Sequence, residues 1–209
     1  RTGLSLDGAR IAVQGFGNVG SAAAELFAGA GAKIVAVQDH TGTIVSTKGL
    51  DVAKLAAHVR SKGGVAGFRG GVAIEAEAFW EAPCDILLPA ALEGQITRER
   101  AGRVKASIVL EGANGPTLTA AEDILADRGI LVVPDVICNA GGGTVSYFDF
   151  SSFFWTEAEI NARLDAIMVE AFVAIWERAK AQGVSLRTAT FAVACERILM
   201  AHQERGLYP

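Results

Sequence analysis

The stretch "IAVQGFGNVGSAAAELFAGAGAKIVAVQDHTG", Ile11 to Gly42, decides the fold. Arg10 to Gln14 has the length and apolar content of a buried strand, Asn18 to Ala30 is an Ala-rich helix, and Lys33 to Gln38 is a second apolar strand. Gly29 and Gly31 fall near the helix end, where left-handed backbone is wanted. Together these make a βαβ unit. Between strand and helix, Gly15, Gly17 and Gly20 give Gly-x-Gly-x-x-Gly. The first glycine permits a tight turn, the second lets backbone approach a pyrophosphate, and the third lets helix and strand pack closely. The phosphates would rest on the free N–H groups at the positive end of the Asn18 helix. A tight turn followed by a strand-end acid is the plain structural alternative. Against it, Asp39 closes the second strand about 20 residues beyond the loop, where a carboxylate can accept from ribose hydroxyls. A free Asp39 with no adjoining Arg would repel the extra phosphate of NADP and favour NAD, while His40, if protonated, would leave NADP possible.

Outward from this unit, Leu50 to Ser61 has helical spacing, and "KGGVAGFRGG" reads as a flexible loop by composition. Strand-like runs resume at Asp85 to Pro89, Ser107 to Leu110 and Ile130 to Pro134, with helical stretches at Thr97 to Arg103 and Thr119 to Arg128 between them. Apolar strands alternating with helices indicate an α/β, Rossmann-like, doubly wound parallel sheet covered on both faces. The last third changes character: Glu157 to Gln182 and Arg187 to Arg205 read as C-terminal helices, a helical closure over about 156–205 of a single dinucleotide-binding domain spanning 1–209.

A hydrophobic share of 51% and a net charge of −4 without any basic block point away from nucleic acid and anionic membranes and toward a small-molecule protein. No apolar run approaches the roughly 20 residues of a membrane span, and the amino end resembles no targeting peptide, so a cytoplasmic protein is expected. Cys84, Cys138 and Cys195 are odd in number and far apart, which fits reduced structural thiols better than disulfides or zinc. His58 and His202 lie on helices as surface or packing residues. The start at Arg1, with a strand following within about ten residues, suggests a piece of a longer protein.

Three further segments lie at strand ends: "LLPAALEGQIT" (87–97), "VLEGANGPTL" (109–118) and "VVPDVICNAGGGTVSYF" (132–148). Ligands of open parallel sheets bind beyond the carboxyl ends of the strands, so their polar residues should converge there. Taken alone, Asn114 and Asn139 suit turns and caps equally well.

With "IAVQGFGNVGS", "PAALEGQIT", "EGANGPT", "GILVVPD" and "NAGG" followed by "TVSYF" in this order, the chain resembles the coenzyme-binding domain of the glutamate dehydrogenases, within the glutamate/leucine/phenylalanine/valine dehydrogenase superfamily. The resemblance implies oxidative deamination of L-glutamate to 2-oxoglutarate with NAD or NADP, in an oligomeric enzyme whose separate amino-terminal domain supplies the catalytic Lys and Asp. It implies that Gly15, Phe16, Gly17, Asn18 and Val19 wrap the pyrophosphate, beside the Gly20 of the fingerprint, and Asp39 matches the family's position at the end of the second strand, next to His40. Ala90 and Ala91 would flank the adenosine half, Gly112 and Asn114 the nicotinamide ribose, and Asn139 the nicotinamide amide. Ser146 would meet the side-chain carboxylate of glutamate, and the branched-chain and aromatic enzymes lack the Thr-Val-Ser-Tyr run that carries it.

This chain departs from the family pattern at Gly143, where a pocket-lining Val is usual, and after Phe148, where a few residues resembling "EWVQ" are replaced by "DFSSFFW". No catalytic group is expected within it: Lys62 in "SKGG" sits at a helix end, where Gly is the ordinary stop. Two other readings stand beside this one: another amino-acid dehydrogenase of the same superfamily, and a nucleotide-binding module without catalysis.

Overall fold

The computed structural model describes residues 2–150 and 155–206, with the side chains of 149 and 150 left aside. The chain forms two compact units, residues 1–132 and 133–209.

In the first unit the strands are β1 (Arg10–Gln14), β2 (Lys33–Asp39), β3 (Gly42–Val45), β4 (Val72–Ile74), β5 (Ile86–Pro89), β6 (Ile108–Leu110) and, at its boundary, β7 (Leu131–Val133). They form one sheet in the order β4-β3-β2-β1-β5-β6-β7. β1 pairs parallel with β2 and β5, and β5 parallel with β6. The expected parallel core is therefore present. The sheet is extended beyond β2 by two antiparallel strands, β3 on β2 and β4 on β3, to which the sequence reading assigns no element. Both are short, β4 forms the edge of the sheet, and β4 is exposed at Val72 and Ala73.

Side-chain alternation splits the core into two layers. Ile11, Val13, Ile34, Val37, Ile86 and Leu88 point to one face, against α1 (Asn18–Gly29) and α2 (Val52–Lys62), packing with Ala24, Leu55 and Ala56. Ala12, Ala36, Leu87 and Val109 point to the other, against a 3-10 segment at Ala76–Glu81, α3 (Arg98–Arg103) and α4 (Thr119–Asp127). The β1–β2 register slips by one residue between Ile11 and Ala12, so Val35 joins Ala36 on the same layer. Burying side chains at this density contributes about 25 cal/mol per Å² of apolar surface.

The expected "flexible" loop is held in place. Val65 is fully buried, its N–H donates to Asp39 Oδ2 at 2.9 Å, and the Ala66 carbonyl lies 2.9 Å from His58 Nε2. His58 packs edge-on against Phe68, so it has a packing role.

The second unit holds α5 (Asp135–Cys138), α6 (Gly141–Phe150), α7 (Glu157–Gln182) and α8 (Leu186–Arg205). α7 starts on a capping box made by Thr156 and Glu159, and its bounds match the sequence expectation. Ser185 caps α8, and Arg178 bridges the two long helices by pairing with Glu196. Arg187 reaches back to Asp135 at 2.9 Å, tying α8 to α5.

Candidate functional site

The strand order dictates where a ligand can enter. From β1 the chain moves outward through β2, β3 and β4, then returns to the other side of β1 as β5. Loops leaving β1 and β5 therefore part in opposite directions at the carboxyl end of the sheet, which opens a crevice there. The glycine loop occupies this point.

Gly15 has φ +87°, and a Cβ on it would lie 2.7 Å from the Ala90 carbonyl oxygen and 2.9 Å from Ala91 Cα. The loop after β1 thus lies directly on the Ala90–Ala91 peptide, and Ala90 N–H donates to the Gln14 carbonyl at 2.7 Å. Gly15 N–H donates to the Gln38 carbonyl at 2.6 Å, binding the same loop to the end of β2. A Cβ on Gly20 would sit 1.9 Å from the Gly15 carbonyl oxygen, so only glycine permits this helix to start so close to its strand. Gly17 is the opposite case: a Cβ there meets nothing within 4 Å.

The first and third glycines are thus consumed by the protein itself, and the second faces open space at the start of α1. Asn18 and Val19 are exposed beside it, while Phe16 is buried and anchors the loop in the core. α2, α3, α7 and α8 each begin on a side-chain cap from Asp51, Thr97, Thr156 and Ser185. α1, like α4 and α5, begins with no side-chain cap, but unlike those two, which carry Glu122 and Asp135, it has no acid in its first turn. Its N-terminal N–H groups and positive dipole end suit an anion, and the bare backbone lets one come close. A dinucleotide pyrophosphate fits this cradle.

Gly112 and Ala113 extend the floor, both donating to the Pro89 carbonyl, at 3.0 and 2.9 Å. A Cβ on Gly112 would crowd Leu88 and Ala90, at 3.2 and 3.3 Å. Gly94 N–H to the Gly115 carbonyl and Ile96 N–H to the Pro116 carbonyl, both 2.8 Å, tie the 87–97 and 109–118 segments to each other. Asn114 is exposed on the turn between β6 and α4. Two of the three strand-end segments are therefore brought to the glycine loop as expected. Beneath it, the buried Gln14 amide donates to Gln95 Oε1 at 2.8 Å.

Asp39 ends β2 as expected, but its carboxylate is not free. Oδ1 accepts from the Thr41 amide at 2.8 Å, the Thr41 hydroxyl at 2.6 Å and the Gly42 amide at 3.3 Å. Oδ2 accepts from Val65 N–H. Asp-His-Thr-Gly is an Asp-headed turn, and that part was legible from residue types. The Val65 donor lies 26 positions away, and no local pattern announces it. His40 is exposed next to this turn.

The third segment belongs to the second unit. Asn139 follows α5, with its N–H donating to the Asp135 carbonyl at 3.0 Å. Gly143 and Ser146 are exposed and three residues apart on α6, hence on one helix face. Burial pushes the Cys84 thiol up to about 12, so it is inert; Cys138 is partly buried, Cys195 exposed, and none of the three is in a disulfide. Among the described residues, no cluster of His, Cys, Asp or Glu could hold a metal, and no helix is long and apolar enough to cross a membrane.

Comparison with known proteins agrees with the fold. The family model described as Glutamate/Leucine/Phenylalanine/Valine dehydrogenase matches residues 1–206. The chain is 44% identical to a glutamate dehydrogenase of Thermotoga maritima, over 99% of this chain and 51% of that protein. It is 42% identical to an NADP-specific glutamate dehydrogenase of Halobacterium salinarum, over 98% of this chain and 50% of that one. A catabolic NAD-specific glutamate dehydrogenase of Bacillus subtilis is 41% identical, over 99% of this chain and 49% of that one. Among solved structures, the hetero-hexameric glutamate dehydrogenase of Thermus thermophilus superposes with a TM-score of 0.91 at 34% identity, over 99% of this chain and 50% of that one. The chain spans about half the length of these relatives. With that match running from end to end, the chain belongs to the Glutamate/Leucine/Phenylalanine/Valine dehydrogenase family.

Proposed function

We propose that this chain is the coenzyme-binding part of a glutamate dehydrogenase that converts L-glutamate, water and NAD⁺ to 2-oxoglutarate, ammonium, NADH and a proton. The observation that carries the reading is the division of labour among the three glycines: Gly15 and Gly20 close the turn, and Gly17 leaves room at an uncapped helix start. The nicotinamide coenzyme, when bound, supplies the hydride acceptor for the glutamate α-carbon.

The residues of this chain bind and orient. Phe16, Asn18 and Val19 complete the pyrophosphate loop, and Ala90 and Ala91 flank the adenosine half. Asp39, with His40 beside it, accepts from the adenosine ribose and favours NAD over NADP by charge. Gly112 and Asn114 lie at the nicotinamide ribose, and Asn139 holds the carboxamide so that one ring face is presented. Ser146 donates to the side-chain carboxylate of glutamate, and Gly143 leaves that pocket wider than a valine would. The proton-handling Lys and Asp come from another domain, across a cleft that closes on the substrate, and the working enzyme is a cytoplasmic homo-oligomer. Hydride transfer needs donor and acceptor held within about 3.5 Å, so half a cleft does not turn over.

The test uses calorimetry and absorbance at the NADH band. The 209-residue chain binds NAD(H) yet forms no NADH from glutamate; joined to the amino-terminal half of a homologous enzyme, it gains glutamate-dependent NADH formation. In that fusion Ser146→Ala raises the KM for glutamate more than that for NAD. Turnover by the purified chain alone would overturn the reading.

A further inference from the structure

We infer that Thr41 is a positioning residue for coenzyme choice, acting as a latch that aims the Asp39 carboxylate. The inference rests on the proposed placement of the adenosine ribose at Asp39.

The Thr41 hydroxyl lies between two groups whose chemistry fixes its direction. It accepts from Ala66 N–H at 3.0 Å, and an amide nitrogen can only donate. Its single proton therefore goes to Asp39 Oδ1, at 2.6 Å, a charge-assisted bond. Thr41 and Gly42 amides crowd the same oxygen, and together these donors use up Oδ1. Oδ2 accepts only the Val65 N–H among the described hydrogen bonds, so it keeps acceptor capacity for one more donor.

The latch is also packed shut from the loop side: a Cβ on Gly64 would fall 2.2 Å from Thr41 Cγ2 and 2.3 Å from its Oγ1. Thr41, Gly64, Val65 and Ala66 thus form a clamp around a half-exposed carboxylate that would otherwise rotate into water. Held this way, Asp39 offers Oδ2 to one ribose hydroxyl and sets its charge against a phosphate at the same position. Released, it does neither. NAD then loses an acceptor while NADP loses a repulsion, so the two affinities move in opposite directions. A merely structural role for Thr41 would move them together.

The experiment measures NAD, NADP and a dinucleotide lacking the adenosine 2′-hydroxyl by calorimetric titration. The proteins are the wild-type chain, Thr41→Val, Thr41→Ser and Gly64→Ala, each checked for folding by circular dichroism. Thr41→Val removes the hydroxyl at nearly constant shape, and Gly64→Ala pushes Thr41 aside from the other direction. Both should lower the NAD-to-NADP preference by at least about fivefold, with Thr41→Ser close to wild type and the 2′-deoxy dinucleotide indifferent to all three. Equal losses for NAD and NADP, or an unchanged preference in both Thr41→Val and Gly64→Ala, overturn the latch and leave the site itself standing. Wild-type affinity that does not distinguish NAD from its 2′-deoxy form removes Asp39 from the ribose and overturns the latch with it. Absence of any dinucleotide binding overturns the functional reading as a whole.

Discussion

Two glycine-rich loops of this chain look alike as text and work in opposite ways. In residues 15–20 the glycines are forced by neighbouring backbone, and what is left over, Gly17 and the start of α1, is open to solvent. In residues 63–71 the loop gives its own backbone to the protein: Val65 is sealed in the core and its N–H holds Asp39. Glycine density therefore reports neither mobility nor binding. What decides is which atoms a Cβ would meet and where the N–H groups point.

The sharpest way to break this contrast is Gly20→Ala. With a Cβ 1.9 Å from the Gly15 carbonyl oxygen, helix and strand must separate, at a cost of about 3 kcal/mol in urea unfolding. A stability within experimental error of wild type would show that the loop has slack. Next in size, Val65→Ala leaves a cavity in the second loop and should cost about 2 kcal/mol. A truly loose loop would lose almost nothing.

Gly17→Val separates binding from folding. Nothing obstructs its side chain in the protein, so unfolding should change by no more than about 1 kcal/mol, the expected loss of a good helix cap. Dinucleotide affinity should fall at least about tenfold, ~1.4 kcal/mol, because the branch would occupy the proposed pyrophosphate position. Equal affinity in calorimetry would take the loop out of the site.

The smallest effect comes from the amino end of the same sheet, where Asp85 receives the Arg10 backbone and guanidinium N–H groups at 2.8 Å. The Arg10 side-chain hydrogen bond holds the Asp85 carboxyl below its ordinary range, against the opposing pull of burial. A depressed carboxylate stabilises the fold fully above its unfolded pKa, near 3.9, and that contribution is lost as pH falls through the lower folded value. Because Arg10 is about half exposed, the pair contributes only about 0.5 kcal/mol. Arg10→Ala should flatten the acid limb of stability below about pH 4, leaving neutral-pH dinucleotide affinity unchanged.

The same contrast explains what the sequence made legible. β1, α1 and β2 announce themselves because each buries a periodic face, and the three glycines sit at the spacing that a phosphate-facing turn imposes. β3 and β4 escape notice because strands of four and three residues carry too little alternation to read. α6 escapes because it opens on Gly141, Gly142 and Gly143, residues that ordinarily mark a turn. The position of Asp39 is written in the local motif, whereas its engagement by Val65 depends on chain crossing between distant segments, which composition had described as flexible.

Cys84 carries a consequence of a different kind. Its thiol is 6% exposed and pushed up to about 12 by burial, so at neutral pH it carries almost no thiolate, while Cys195 on α8 is exposed. A maleimide or disulfide reagent should modify Cys195 at once and reach Cys84 only when the core layer that packs it with Ala12, Phe79 and Trp80 opens. The chain thus contains its own stopwatch for opening: the rate at which Cys84 becomes alkylated, read by mass spectrometry with and without dinucleotide, reports how firmly a ligand at the far end of the sheet holds the fold closed.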